Sequence, residues 1–103
     1  MKAYRIPAVL ACALLAAPVA FANEALAVEK KCMQCHSIDQ KRPFPAYKDI
    51  AAKYAGRPGM VEKLAKKIKE GGTGSFGVLT MPPNTQVNDA EAKQLATWIL
   101  SLK

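Results

Sequence analysis

Histidine occurs once in this chain of 103 residues and cysteine three times, with no second cluster of either. A structural zinc site needs about four nitrogen or sulfur ligands, so the scarcity argues against one. Alternating strand patterns are missing too. That removes the βαβ setting in which a C-x-x-C pair at a helix start works as a thioredoxin-like redox site. No internal repeat and no nucleic-acid motif is present, and the lysines are spread rather than massed. The formal net charge of +7 therefore reads as a solvated basic face and not as nucleic-acid binding. The longest uncharged run, residues 6–23, contains Pro7 and Pro18 and is marginal against the roughly 20 residues a spanning helix needs, so stable membrane insertion is not expected.

That run has another use. Lys2 and Arg5 precede it, and "AFA" at 20–22 has the small-x-small form that signal peptidase cuts after. The pattern predicts a cleaved signal peptide over 1–22 and export to the periplasm, with the remaining chain starting at Asn23. Cys12 after "VLA" only faintly resembles a lipoprotein site, because most of the apolar segment follows it. Residues 23–103 then form one small domain, still net positive without Lys2 and Arg5. A core of that size buries little apolar surface, and domains of this length lean on an internal staple. A disulfide between Cys32 and Cys35 would close a tiny loop and constrain little of the unfolded chain.

What is present is helical. "AYKDIAAKYAG" repeats apolar residues at Tyr47, Ile50, Ala51, Tyr54 and Ala55 before Gly56. "GMVEKLAKKIKEGG" puts Val61, Leu64, Ala65 and Ile68 on one face and ends in Gly71 and Gly72. "NDAEAKQLATWILSLK" starts with Asn88 as a cap and Glu91 three residues on, with Ala92, Leu95, Ala96, Ile99 and Leu102 as its stripe. A shorter helix is expected from about Glu24 into the cysteines. Residues 71–88 hold four of the six glycines and the Pro82-Pro83 pair, which predicts a long irregular loop. A loop of that length in so small a domain points to function.

The chemistry sits in "KKCMQCHSID", residues 30–39, where Cys32, Cys35 and His36 form C-x-x-C-H. With zinc and thioredoxin chemistry disfavoured, this is the attachment signature of a c-type haem: two thiols bond to the haem vinyls and the adjacent histidine reaches the iron. Four methionines are candidates for the other face of the iron. Met1 leaves with the signal, Met33 is tethered beside the histidine, and Met60 lies in a helical stripe where core packing is the better account. Met81, in the stiff segment "TMPPN", is the natural sixth ligand.

"KCMQCHSID", "PAYKDIAAKYAG", "GVLTMPPN" and "EAKQLATWILSLK" together resemble the small bacterial class I cytochromes c of the c-551 type, over nearly all of 23–103. The resemblance implies an all-α fold of about four helices around one covalently attached haem c, the first and last helices crossing and the methionine loop closing the distal side. It implies thioethers at Cys32 and Cys35, iron ligation by His36 and Met81, and a Pro45 carbonyl that accepts the second ring N–H of His36. It also places Asn84 against the methionine sulfur.

Some positions depart from the family pattern. Phe76 stands where a tryptophan often bonds a haem propionate, Lys67 where an arginine does similar work, Ala27 where the first helix carries a bulky aromatic, and Phe44 where a glycine precedes Pro45. A haem with both axial positions taken has no place for a substrate, which predicts a monomeric one-electron carrier and not an enzyme. A peroxidase would need acid-base groups near an open iron, and His36 is already used. Redox proteins are the expected partners, acidic ones being steered by the lysines. Nitrite reductase or a terminal oxidase is what the family suggests for donor or acceptor.

Overall fold

The computed structural model describes residues 19–41 and 44–103. Residues 1–18 of the expected signal peptide lie outside the described residues. Helix α1 spans Val19–Glu29, α2 Tyr47–Tyr54, α3 Met60–Glu70 and α4 Asp89–Ser101. Two short strands, β1 (Gly72–Gly74) and β2 (Gly77–Met81), pair antiparallel between α3 and α4.

The helices begin and end where local chemistry dictates. Asn88 caps α4 by accepting from the Glu91 amide at 2.8 Å, and the Glu91 carboxylate accepts from the Asn88 amide at 3.1 Å, a complete capping box. No side chain caps α2. Its first amides, those of Tyr47 and Lys48, instead donate to the carbonyls of Ser37 and Ile38 at 2.8 and 2.9 Å, which fastens the segment after His36 onto the start of the helix.

Two expectations change in detail. The first helix does not run unbroken into the cysteines. It stops at Glu29, Lys31 turns the chain with φ 66°, and Cys32–Gln34 form a separate 3-10 turn. Residues 71–88 are not irregular throughout either. Thr73 pairs with Thr80 and Gly74 with Gly77, leaving Ser75 and Phe76 as a two-residue turn. Gly74 and Gly77 take φ of 101° and 81°, which only glycine adopts readily, so the residues that looked like breakers are those that make a tight hairpin possible.

The core joins all four helices. Ala92, Leu95, Ala96, Trp98 and Ile99 of α4 are buried against Leu64, Ala65 and Ile68 of α3, Tyr47 and Ile50 of α2, and Ala27 of α1. Ala27 has no exposed surface and packs α1 closely into the core. Met60 opens α3 half-exposed and outside the core cluster. Among the described residues no helix is long and apolar enough to cross a membrane.

Candidate haem-binding site

The core is open on one side. An apolar cleft of about 780 Å³, counting the part that meets solvent, runs between the helices and the hairpin. Cys32, His36, Pro45 and Met81 all line it, and so do Phe44, Lys67 and Phe76. Cys35 and Asn84 do not. Cys35 is exposed beside Gln34 and Ser37, and Asn84 lies in a polar groove between α3 and α4.

His36 is carried one turn beyond Cys32 by the bond from its amide to the Cys32 carbonyl, 3.0 Å. Its Nδ1 lies 2.8 Å from the Pro45 carbonyl oxygen. A carbonyl only accepts, so Nδ1 carries the proton and Nε2 is left with a free lone pair. The imidazole also stacks on Tyr47, ring centroids 5.0 Å apart, and Tyr47 meets Trp98 edge-on at 5.5 Å. Bond and stack together allow the ring little rotation.

Tyr47 is buried and hydrogen-bonds the Cys32 sulfur. Burial first, and then the neighbouring Cys32, push its phenol far above the ordinary range, so it remains a neutral donor. Before any attachment, burial likewise pushes the Cys32 thiol up, with the Tyr47 hydroxyl pulling the other way.

Met81 ends β2 and lines the same cleft. A Cβ placed on Gly71 would stand 2.2 Å from the Met81 carbonyl oxygen and 2.8 Å from Pro82 C and Pro83 N. Gly71, at φ 69°, therefore admits the Met81-Pro82-Pro83 backbone against the end of α3. Asn84 then fastens that backbone to α3: its amide N–H donates to Lys69 O at 3.1 Å and its side-chain Nδ2 to Ile68 O at 2.8 Å.

At the hairpin turn a lysine packs against Phe76. Lys53 of α2 places its ammonium 4.4 Å from the Phe76 ring centroid and donates to the Ser75 carbonyl. Cation–π contact and hydrogen bond hold the hairpin turn down where Phe76 has no donor of its own. Sequence reasoning missed Lys53, because its partners lie in another element.

The walls fit a flat apolar group bearing a metal that accepts one imidazole nitrogen and one thioether sulfur. They do not fit a hydrated divalent ion, since among the described residues no group of three or more His, Cys, Asp or Glu side chains could hold a metal. The cytochrome c family model matches residues 23–103. The chain belongs to the cytochrome c family. It is 58% identical over 87 residues to cytochrome c-552 of Hydrogenobacter thermophilus, covering 84% of this chain and 88% of that one. It is 48% identical over 105 residues to cytochrome c-551 of Pseudomonas aeruginosa, with both chains fully covered. The crystal structure of cytochrome c552 from Nitrosomonas europaea superposes with a TM-score of 0.75 at 50% identity, covering 78% of this chain and 99% of that one. This cytochrome is thus a small monohaem class I electron carrier, not an enzyme, and takes one covalently attached c-type haem.

Proposed function

We propose that this cytochrome works in the periplasm, with its haem joined to Cys32 and Cys35 and the iron held between His36 and Met81. The observation that carries this reading is the apolar cleft whose lining includes a tautomer-fixed imidazole, a thioether sulfur and the Cys32 thiol. When bound, the haem supplies one-electron exchange between Fe(II) and Fe(III). The chain's own residues supply the rest. Pro45 holds the Nδ1 proton and so presents Nε2 of His36 as the donor. Pro82 and Pro83 restrict the backbone after Met81, leaving its sulfur little freedom to lose on binding. Asn84 has a second amide hydrogen for that sulfur. Lys67 offers a cation on the cleft wall to an acidic substituent of the haem.

Export is supported by Lys2 and Arg5, the uncharged run and "AFA", and by a family match that starts at Asn23. The physiological donor and acceptor are taken to be acidic redox proteins, met by the net positive charge.

Absorption spectra of the purified protein with and without carbon monoxide test the ligand set. The reduced parent should ignore carbon monoxide. Met81→Ala should keep haem through a denaturing gel, bind carbon monoxide and show a lower reduction potential, because the thioether favours Fe(II). Ready carbon monoxide binding by the parent, or a Met81→Ala variant with unchanged potential and spectrum, would remove Met81 from the site. Cys32→Ala combined with Cys35→Ala should lose haem on the gel. The protein recovered from the periplasmic fraction should start at Asn23.

A further inference from the structure

The turn that follows Met81 ends two helices at once. The last carbonyls of an α-helix have no partner within the helix and need one from outside. For α3, those of Ile68 and Lys69 are taken by Asn84. At the end of α1, the Lys30 carbonyl is taken by Gln86, whose Nε2 donates to it at 2.9 Å. The same nitrogen donates to the Asn84 side-chain Oδ1 at 3.1 Å. A primary amide nitrogen has two hydrogens, and here each has one acceptor. The orientations of both amides are mutually forced: Ile68 O and Lys30 O can only accept, so Asn84 must turn Nδ2 to α3 and Oδ1 to Gln86.

Lys30 is two residues from Cys32, and Asn84 is three residues from Met81 with two prolines between. Gln86 therefore joins the segment bearing the attachment cysteines to the segment bearing the distal sulfur, across 56 positions of sequence. Lys30 is anchored a second time through its ammonium, 3.1 Å from the Glu91 carboxylate of α4. Val87, directly after Gln86, is buried in the core and its amide donates to Asn84 O at 3.2 Å, which keeps the turn closed.

We propose that Gln86 is a positioning residue for the distal ligand: its bridge between Lys30 and Asn84 sets how often Met81 swings off the cleft wall. The proposal rests on the assignment of Met81 as the sixth ligand. Without the bridge, Asn84 keeps its hold on α3, but its side-chain oxygen loses a donor and the turn loses its tie to α1. Opening of the methionine segment becomes easier while the helical core stays intact.

The test uses the haem-loaded protein and imidazole as a competitor for the oxidised iron, read by loss of the charge-transfer band of thioether-ligated ferric haem. Gln86→Leu removes both hydrogen bonds at similar size, Gln86→Glu puts a carboxylate against two acceptors, and Gln86→Lys restores a donor. The first two should bind imidazole about three- to tenfold more tightly than the parent, the range expected for one or two exposed hydrogen bonds. Gln86→Lys should return toward the parent, and the thermal midpoint of helix loss should stay close to the parent's in all three. Unchanged imidazole affinity in Gln86→Leu and Gln86→Glu overturns the proposal. So does a gain matched by an equal loss of global stability that Gln86→Lys fails to restore, since that marks a merely structural contact. A parent without the thioether band sinks the Met81 assignment first and the proposal with it, an outcome the spectrum shows before any imidazole is added.

Discussion

Lys31 holds φ 66° and ψ 18°, the left-handed region, and is the one non-glycine residue among those described with positive φ. A side chain there costs ~1–2 kcal/mol against the following carbonyl, partly offset in glycine by the entropy it loses on folding. The turn is needed to redirect the chain from α1 into Cys32, so the strain is stored beside the proposed haem attachment point. Lys31→Gly should raise the stability of the holo protein by about 0.5–1 kcal/mol, measured as a shift of the denaturant midpoint at constant slope. Gly71 is the opposite case. Its φ of 69° and the Met81 carbonyl oxygen lying where a Cβ would point leave no room for a methyl group. Gly71→Ala should cost about 2–4 kcal/mol, and because the backbone it displaces is that of Met81, the same variant should show carbon monoxide binding in the reduced state. A destabilised Gly71→Ala protein that still ignored carbon monoxide would separate the packing of this turn from ligand placement.

Among the elements, α4 carries the most explicit start signal. Asn88→Ala removes its cap and should cost about 1 kcal/mol in thermal or denaturant unfolding. The Glu91 carboxyl is held below its ordinary value of 4.5, first by the Asn88 amide and then by Lys30. A depressed folded-state value means the unfolded chain takes up the proton first, so stability is full above the unfolded value and drains away as pH falls through the lowered one. Glu91→Gln keeps an oxygen for the Asn88 amide and loses the charge. It should be less stable than the parent at about pH 7, and the gap should narrow as the pH falls below the ordinary carboxyl value of 4.5. A gap that persisted in acid would place the contribution of Glu91 in its shape and not in its charge. The hairpin works on different principles. Its two strands offer few side chains to bury, and it is held by Gly71 against α3, by the Thr73–Thr80 hydroxyl pair at 2.7 Å and by Lys53 across the turn.

On the scale of the whole molecule, core and cofactor site are one apolar volume. Ile50, Leu64, Ile68, Leu95 and Ile99 belong at once to the core or its edge and to the lining of the cleft. So small a domain buries too little without something in that space, which is the physical reason to expect the haem-free Cys32→Ala, Cys35→Ala chain to lose most of its helical circular dichroism. Charge acts at the same scale. If the net positive charge steers acidic partners, the bimolecular electron-transfer rate with such a partner should fall as salt is raised, since the Debye length is about 8 Å at physiological ionic strength. A flat or rising rate would leave the charge a matter of solubility.

Much of this was legible in the order of residues because the deciding contacts are short in sequence. C-x-x-C-H puts its three functional atoms within five positions, the Asn88–Glu91 box spans three, and the stripes of α2, α3 and α4 repeat at the helical period. Each is a local rule that holds wherever the helix is placed. The hairpin was hidden because a run of glycines, threonines and prolines reads equally as breakage and as tight turning, and pairing across the turn decides between them. The Pro45 bond to His36, the Tyr47 stack, the Lys53 contact with Phe76 and the Gln86 bridge to Lys30 join residues 9, 11, 23 and 56 positions apart. No propensity encodes them. By itself the sequence determined which segments coil and which side chains are proposed to meet the haem. Only the packing of four helices about one apolar cleft decided how those atoms are aimed and held, because aim and restraint come from neighbours that chain closure brings together and not from the residues on either side.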